Sequence, residues 1–248
     1  MNPSWRLLGA SVPGTSHLKT GLPCQDAHRF VVLENGVVIA AVADGAGSAK
    51  HADRGSLLAV EHAVSWLSAA LAASDAWTED DSVDLLRSMT QEVRTHLEHT
   101  CEPGTLSDFA TTLLVCFVTK SVIAACQIGD GAIVSATEAG EIHTLTQPVH
   151  GEYINETTFL TSDSYADAAS YKAQQTNGTQ DIFLFTDGIQ SLALNLSDYT
   201  PFSPFFQNIG KYARSANATS DAVASFLASD RVCERTDDDK TLVIAVRQ

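Results

Sequence analysis

The sequence predicts a single α+β domain over residues 1–248, with β-sheets packed on one another and helices outside them. Strand-like runs rich in Val, Ile, Phe and Ala gather toward both ends of the chain, and two amphipathic helical stretches are inserted between them. No internal repeat, low-complexity segment or linker divides the chain. With 248 residues, 44% of them hydrophobic, there is enough apolar material for one large core.

Residues 5–12 read as the first strand. Residues 28–33 and 37–43 flank Glu34-Asn35-Gly36, and Asn-Gly is the strongest short hairpin signal. Gly45, Gly47 and Ser48 form a loop. A helix follows, with Leu57, Val60, Val64, Leu67 and Leu71 on one buried face and Asp53 as its cap. A second helix has an acidic first turn at residues 78–81, favourable to the helix dipole, and a buried stripe of Val83, Leu86, Met89, Val93 and Leu97. After a Pro-Gly loop at Pro103, the runs 110–118, 122–128 and 132–137 are joined by short turns and predict an antiparallel meander. Residues 147–180 are polar with little periodicity and read as an excursion from the core, a flap or lid. Residues 182–186 return to strand, 189–196 and 221–227 to helix, and 241–246 form the last strand.

Composition excludes several function classes. A net charge of −15 argues against nucleic acid and anionic membrane surfaces, which select basic patches. No apolar run reaches the ~20 residues of a membrane span. The N-terminal segment has neither signal-peptide nor transit-peptide character, so a cytoplasmic location is expected. The five cysteines lack metal-finger spacing; Cys116 and Cys126 fall inside apolar strands as small core residues, and Cys24 alone is flagged for reactivity. Of the eight histidines, His62, His96, His99 and His143 read as solvent or core residues.

The chemistry lies in aspartates at strand ends. Asp44 closes one apolar run, Asp130 another and Asp187 a third; Asp238 and Asp239 open the last strand, and Asp26 precedes an early one. Each Asp-Gly pair alone would be an ordinary turn. Several carboxylates meeting beside buried strands would instead need a cation, and divalent hard ions with oxygen ligands are the natural partner. No G-x-S-x-G and no H-E-x-x-H is present, so no Ser, Cys or His nucleophile is placed for the work.

Taken in order, Gln25-Asp26-Ala27, Val42-Ala43-Asp44-Gly45-Ala46-Gly47, Ala110-Thr111-Thr112-Leu113, Gly129-Asp130, Thr186-Asp187-Gly188-Ile189 and Asp238-Asp239-Lys240-Thr241-Leu242 resemble the successive motifs of the metal-dependent Ser/Thr protein phosphatases of type 2C. Gly14-Thr15-Ser16-His17 ahead of Cys24-Gln25-Asp26-Ala27 is similar to a bacterial stand-alone branch. The resemblance implies a four-layer α-β-β-α sandwich, a central antiparallel β-sandwich flanked by helices. It implies two divalent ions, Mn²⁺ or Mg²⁺, bridged by an aspartate and a water that attacks phosphorus. By the family pattern Asp44 bridges the ions, the Gly45 carbonyl joins it on one, and Asp187 and Asp238 hold the other. Asp130, with Asp187, would make a weaker third site. Asp26, with Gln25 and Asp239, would stand behind the ligands and hold the waters of the ions.

Two departures matter. The phosphate-gripping Arg of many members has no counterpart, and His17 and Lys19 are the cationic candidates between His17 and Asp26. Ala46 stands where animal members carry a His after the Asp-Gly pair. The implied activity is hydrolysis of phospho-Ser/Thr in phosphoproteins, substrates of a cognate Ser/Thr kinase, by a monomer that binds neither nucleic acid nor membrane. A phosphoprotein-binding regulatory module and a dimetal hydrolase of small phosphoesters are the alternatives.

Overall fold

The structure, a computed structural model, describes residues 4–74, 76–101, 104–146 and 157–248. The first half runs β1 (Trp5–Val12), α1 (Thr15–Thr20), β2 (Asp26–Val32), β3 (Val38–Asp44), α2 (Ala52–Ala72), α3 (Glu79–Thr100), β4 (Leu113–Val118), β5 (Val122–Ile128), β6 (Ala132–Thr137) and β7 (Ile142–Thr146). The second runs α4 (Tyr165–Ala168), β8 (Ser170–Gln175), β9 (Thr179–Phe185), α5 (Gln190–Ala193), β10 (Leu194–Asn195), β11 (Thr200–Pro201), α6 (Ser203–Arg214), α7 (Ser220–Leu227), α8 (Asp230–Cys233) and β12 (Lys240–Arg247). Two five-stranded sheets form, ordered β1-β12-β9-β6-β7 and β2-β3-β4-β5-β8, with antiparallel pairing throughout.

The strands read as continuous apolar runs because both faces of each sheet are covered. In β3, Val38, Ala40 and Val42 face the opposite sheet, with Leu184 and Val243 in the same cluster. The alternate residues Ile39, Ala41 and Ala43 pack with Val60, Val64 and Leu67 of α2 and Leu86, Met89 and Val93 of α3. In β12, Leu242, Ile244 and Val246 face Phe206 of α6 and Val223 and Leu227 of α7, while Val243 and Ala245 face inward. Helices thus cover both outer faces of the sandwich, as the α-β-β-α expectation requires.

Several elements differ from the sequence reading. The runs β4, β5 and β6 are not one meander: β4 and β5 pair, but β6 crosses to the other sheet between β9 and β7. The turn Gly129-Asp130-Gly131 makes the crossing, with φ of +97° and +98° at its glycines. Run 110–118 starts as strand only at Leu113, after a 3-10 turn Leu106–Phe109. The expected excursion contains β8, an edge strand on β5, and the fully buried Leu160; positions 147–156 and Pro103 lie outside the described residues. Strand β7 and helix α6 were not anticipated. Stretch 189–196 is one turn of helix, α5, ending in β10.

In α2 the N-cap is His51, and Asp53 sits inside the first turn. Leu57 is exposed; Ala59 and Ala63 complete the buried face beside Val60 and Val64. Val83 of α3 is only half-buried, and Ser82 takes the buried place beside Leu86. Helix α2, at 21 residues, is long and apolar enough to cross a membrane by length and composition, contrary to the reading of the sequence. Its apolar face is packed on the β2–β5 sheet and α3.

Candidate active site

Strand ends from both sheets deliver the carboxylates to one edge of the sandwich. Asp26 opens β2 and Asp44 closes β3, and the two are paired across the ladder. Asp44 is fixed through its backbone: its N–H donates to Thr112 Oγ1 at 2.8 Å, and its carbonyl accepts from Thr112 N at 2.8 Å and Thr111 Oγ1 at 3.0 Å. Gly45 N donates to the Gln25 carbonyl at 3.1 Å, tying the two loops together. Asp187 follows β9 and opens the 3-10 turn Asp187–Ile189.

Asp130 comes from the sheet-crossing turn. Both flanking glycines are in the left-handed region, where a side chain would be strained, and a Cβ on Gly129 would also overlap Thr112. Gln127, 2% exposed, donates its amide to the carbonyls of Gly129 at 3.1 Å and Gly131 at 3.2 Å, clamping the turn on both sides of Asp130. Thr157 Oγ1 donates to Asp130 Oδ2 at 2.9 Å.

One oxygen each of Asp44, Asp130 and Asp187 lie within 4.8 Å of one another. Asp130 Oδ1 and Asp187 Oδ1 are buried without a hydrogen-bond partner. Such hard oxygen donors, buried and unsatisfied, fit a divalent cation. The electrostatics agree. Burial first, then the charges of Asp26, Asp187, Asp130 and Asp238, push the Asp44 carboxyl far above the ordinary carboxylate range. Asp187 is raised by burial and then by Asp130, Asp238 and Asp26. Burial also raises Asp130 and Asp26, the latter opposed by the Thr186 hydroxyl, which donates to Asp26 Oδ2 at 2.7 Å.

Asp238 is exposed and close enough to act on Asp44, Asp130 and Asp187 by charge, but stands outside the tight triplet. Its Oδ1 accepts from Asp239 N at 2.8 Å, and its carbonyl from Lys240 Nζ at 2.9 Å. Asp239 is 2% exposed, and its carboxylate is taken up by Gly14 N at 2.6 Å, Gln25 N at 2.5 Å and His17 Nδ1 at 2.9 Å. The Gln25 side chain is buried, its Oε1 unpartnered. His17 lies on α1, half-buried, and Lys19 is exposed on the same helix.

Cys24 does not fit a reactive thiol: burial, then Asp26 and Asp239, push it well above its ordinary value, holding it as S–H. Thr112, Thr186 and Gln127 were not singled out as functional from the sequence. The first two stand in quoted motifs, which was the available signal; Gln127 ends an apolar run and carried none.

Fold and site together define a class of enzymes with a carboxylate cluster able to hold a metal ion at the edge of a β-sandwich. The sequence profile described as Protein phosphatase 2C matches residues 13–228, and the chain belongs to that family, which is metal-dependent. It is 36% identical over 254 residues to Serine/threonine-protein phosphatase 3 of Escherichia coli (strain K12), covering 98% of each chain. Among solved structures it is similar to serine/threonine phosphatase Stp1 from Staphylococcus aureus, with TM-score 0.66 and 14% identity over 100% of this chain and 98% of that one. It is also similar to the S. agalactiae serine/threonine phosphatase, with TM-score 0.62 and 14% identity over 98% and 100%. At these identities the structures speak for the fold alone.

Proposed function

We propose that the protein removes phosphate from phosphoserine and phosphothreonine in proteins, using two divalent cations, Mn²⁺ or Mg²⁺. The observation that carries this reading is the meeting of Asp44, Asp130 and Asp187 within 4.8 Å, from three separate strand ends. In this reading Asp44, the Gly45 carbonyl, Asp187 and Asp238 hold the two ions, and Asp130 with Asp187 serves a weaker third. The ions supply Lewis-acid activation of water and positive charge for the phosphoryl oxygens.

The chain's own residues do the positioning. Thr111 and Thr112 fix Asp44, Thr186 orients Asp26 behind the ligands, and Gln25 and Asp239 join the loops around them. The phosphoryl group, a dianion, needs a donor on its protein side. His17 fits that role better than Lys19, because its ring is anchored while Lys19 is exposed with no ion pair among the described residues. The substrates would be products of a Ser/Thr kinase in the same compartment, here taken as the cytoplasm, and the enzyme would act as a monomer.

The test compares hydrolysis of a phosphoserine or phosphothreonine peptide with that of p-nitrophenyl phosphate, with and without Mn²⁺, and after EDTA. Turnover on the peptide that depends on added cation is expected. Full turnover in metal-stripped protein overturns the metal assignment. Activity confined to the small ester would shift the substrate class away from proteins.

A further inference from the structure

We infer that His17, held by Asp239, is the catalytic acid of this site, delivering a proton from Nε2 to the serine or threonine oxygen that leaves phosphorus. The inference rests on the phosphatase reading and goes beyond the phosphate contact proposed above.

An alkoxide is a poor leaving group, so phosphoserine hydrolysis needs a proton donor at the departing oxygen. Carboxylates that hold cations cannot supply it. Among the described residues, three Cys, Lys or His side chains hydrogen-bond to one of these strand-end aspartates. The Cys24 thiol is turned to the Asp26 carbonyl at 3.6 Å. The Lys240 side chain is fully buried and its ammonium bonds the Asp238 carbonyl. His17 is the third, and its side chain remains 15% exposed.

Its placement is built, not incidental. The turn ahead of α1 lies directly on the loop that carries Asp238. A Cβ on Gly14 would overlap the backbone of Asp237 and Asp238, so glycine is required for the approach. Ser16 donates both its N–H, at 3.0 Å, and its hydroxyl, at 2.7 Å, to the Asp237 carbonyl. The buried Asp239 carboxylate then receives Gly14 N, Gln25 N and His17 Nδ1. Backbone N–H groups only donate, so Asp239 is the acceptor of the set. The proton in the third contact therefore sits on Nδ1. Nε2 has no hydrogen-bond partner among the described residues, and in this proposal it is the nitrogen that meets the leaving oxygen. A base or acid oriented by a buried carboxylate through its far nitrogen is the arrangement that such proton transfers need. With a second proton on Nε2, the contact to Asp239 becomes an ion pair.

Water adds to phosphorus, and the bond from phosphorus to the seryl oxygen breaks with its electron pair on that oxygen. The Nε2 proton moves to the same oxygen and frees the serine hydroxyl. The proton lost by the attacking water returns to Nε2 through solvent, and inorganic phosphate leaves. Asp239 is the positioning residue, acting through the imidazole.

The test uses the full chain with saturating Mn²⁺ and two substrates. A phosphoserine peptide leaves as an alkoxide, and p-nitrophenyl phosphate leaves as a phenolate that needs no proton. In His17→Gln, kcat on the peptide should fall by about 100-fold. That loss should exceed the loss on p-nitrophenyl phosphate by at least about tenfold. Asp239→Asn should split the two substrates in the same direction. A second readout needs no metal: the imidazole ¹⁵N–¹H spectrum of the metal-free wild type should show His17 protonated on Nδ1, and Asp239→Asn should lose that tautomer. Equal losses on both substrates, or no loss on the peptide, would overturn the acid role; so would an Nε2–H tautomer in the wild type. A wild type inactive on both substrates would overturn the phosphatase reading, and the acid role with it.

Discussion

Asp44 is the aspartate of the cluster whose carboxyl is pushed up furthest. Burial raises its carboxyl first, and four other aspartates add to it. A neutral amide at this position removes both the desolvation cost and the repulsion. Asp44→Asn should therefore lower turnover by about 100-fold or more by loss of a ligand, yet raise the melting temperature of the metal-free protein. Asp187, raised by the same causes, should behave alike. Circular-dichroism melts beside steady-state rates check the pair of effects; a mutant that is both inactive and less stable without metal would mean the carboxylate holds the fold rather than an ion. Asp130→Ala probes a neighbouring question. If Asp130 serves only a weaker ion, titration calorimetry should still find two tight ions while turnover slows. Loss of both would move Asp130 into the main ligand set, where its place within 4.8 Å of Asp44 and Asp187 would already put it on geometry.

The element that brings the two sheets' carboxylates together is the turn between β5 and β6. It passes from one sheet to the other, and a short Gly-Asp-Gly link is indistinguishable in sequence from a hairpin turn; hence the meander expected from residues 110–137 was half right. Strand β6 pairs with the neighbouring β7, but its other partner, β9, lies far along the chain, and no local pattern encodes that pairing. Polar edge strands fail for a related reason: Ser170–Gln175 is half-exposed, so it lacks the apolar signal that made β3, β5 and β12 legible. The aspartates were legible because each ends such a run. The His17–Asp239 contact was not, since 222 positions separate the partners. Gln127 likewise acts across the turn. Replacing it by Met keeps its volume but leaves the buried Gly131 carbonyl and the half-buried Gly129 carbonyl without their donor, a cost of about 1–3 kcal/mol. Gln127→Met should thus lower the urea midpoint and weaken metal binding together. Loss of stability with metal affinity intact would show that the clamp serves the sheet crossing and not the placement of Asp130.

At the scale of the whole molecule, the cluster couples folding to protons and to metal. In the metal-free protein, burial and mutual repulsion push Asp26 up to about 7, Asp187 to about 8 and Asp44 to about 11. Unfolded aspartates titrate near ~3.9. Between those limits the folded state keeps protons that the unfolded state has released. Stability from these groups is therefore fully present below the unfolded value and is lost as pH rises through the folded ones. Divalent cations held by the cluster, as proposed, would reverse the balance: they would displace the protons, bind the folded state, and stabilise it in proportion to the logarithm of their concentration over Kd. Metal-free protein should thus be less stable at pH 8.5 than at pH 5.5, and the stabilisation by Mn²⁺ should widen over the same interval. Urea unfolding at both pH values, with EDTA or Mn²⁺, measures it. The net charge of −15 also disfavours the compact state at high pH, so the slope alone does not identify its source. The double variant Asp44→Asn with Asp187→Asn separates the two. It changes the net charge by only two units of the total, yet removes the two carboxylates with the largest burial-driven shifts. A flattened pH slope in that variant assigns the coupling to the cluster; an unchanged slope assigns it to the surface charge of the chain.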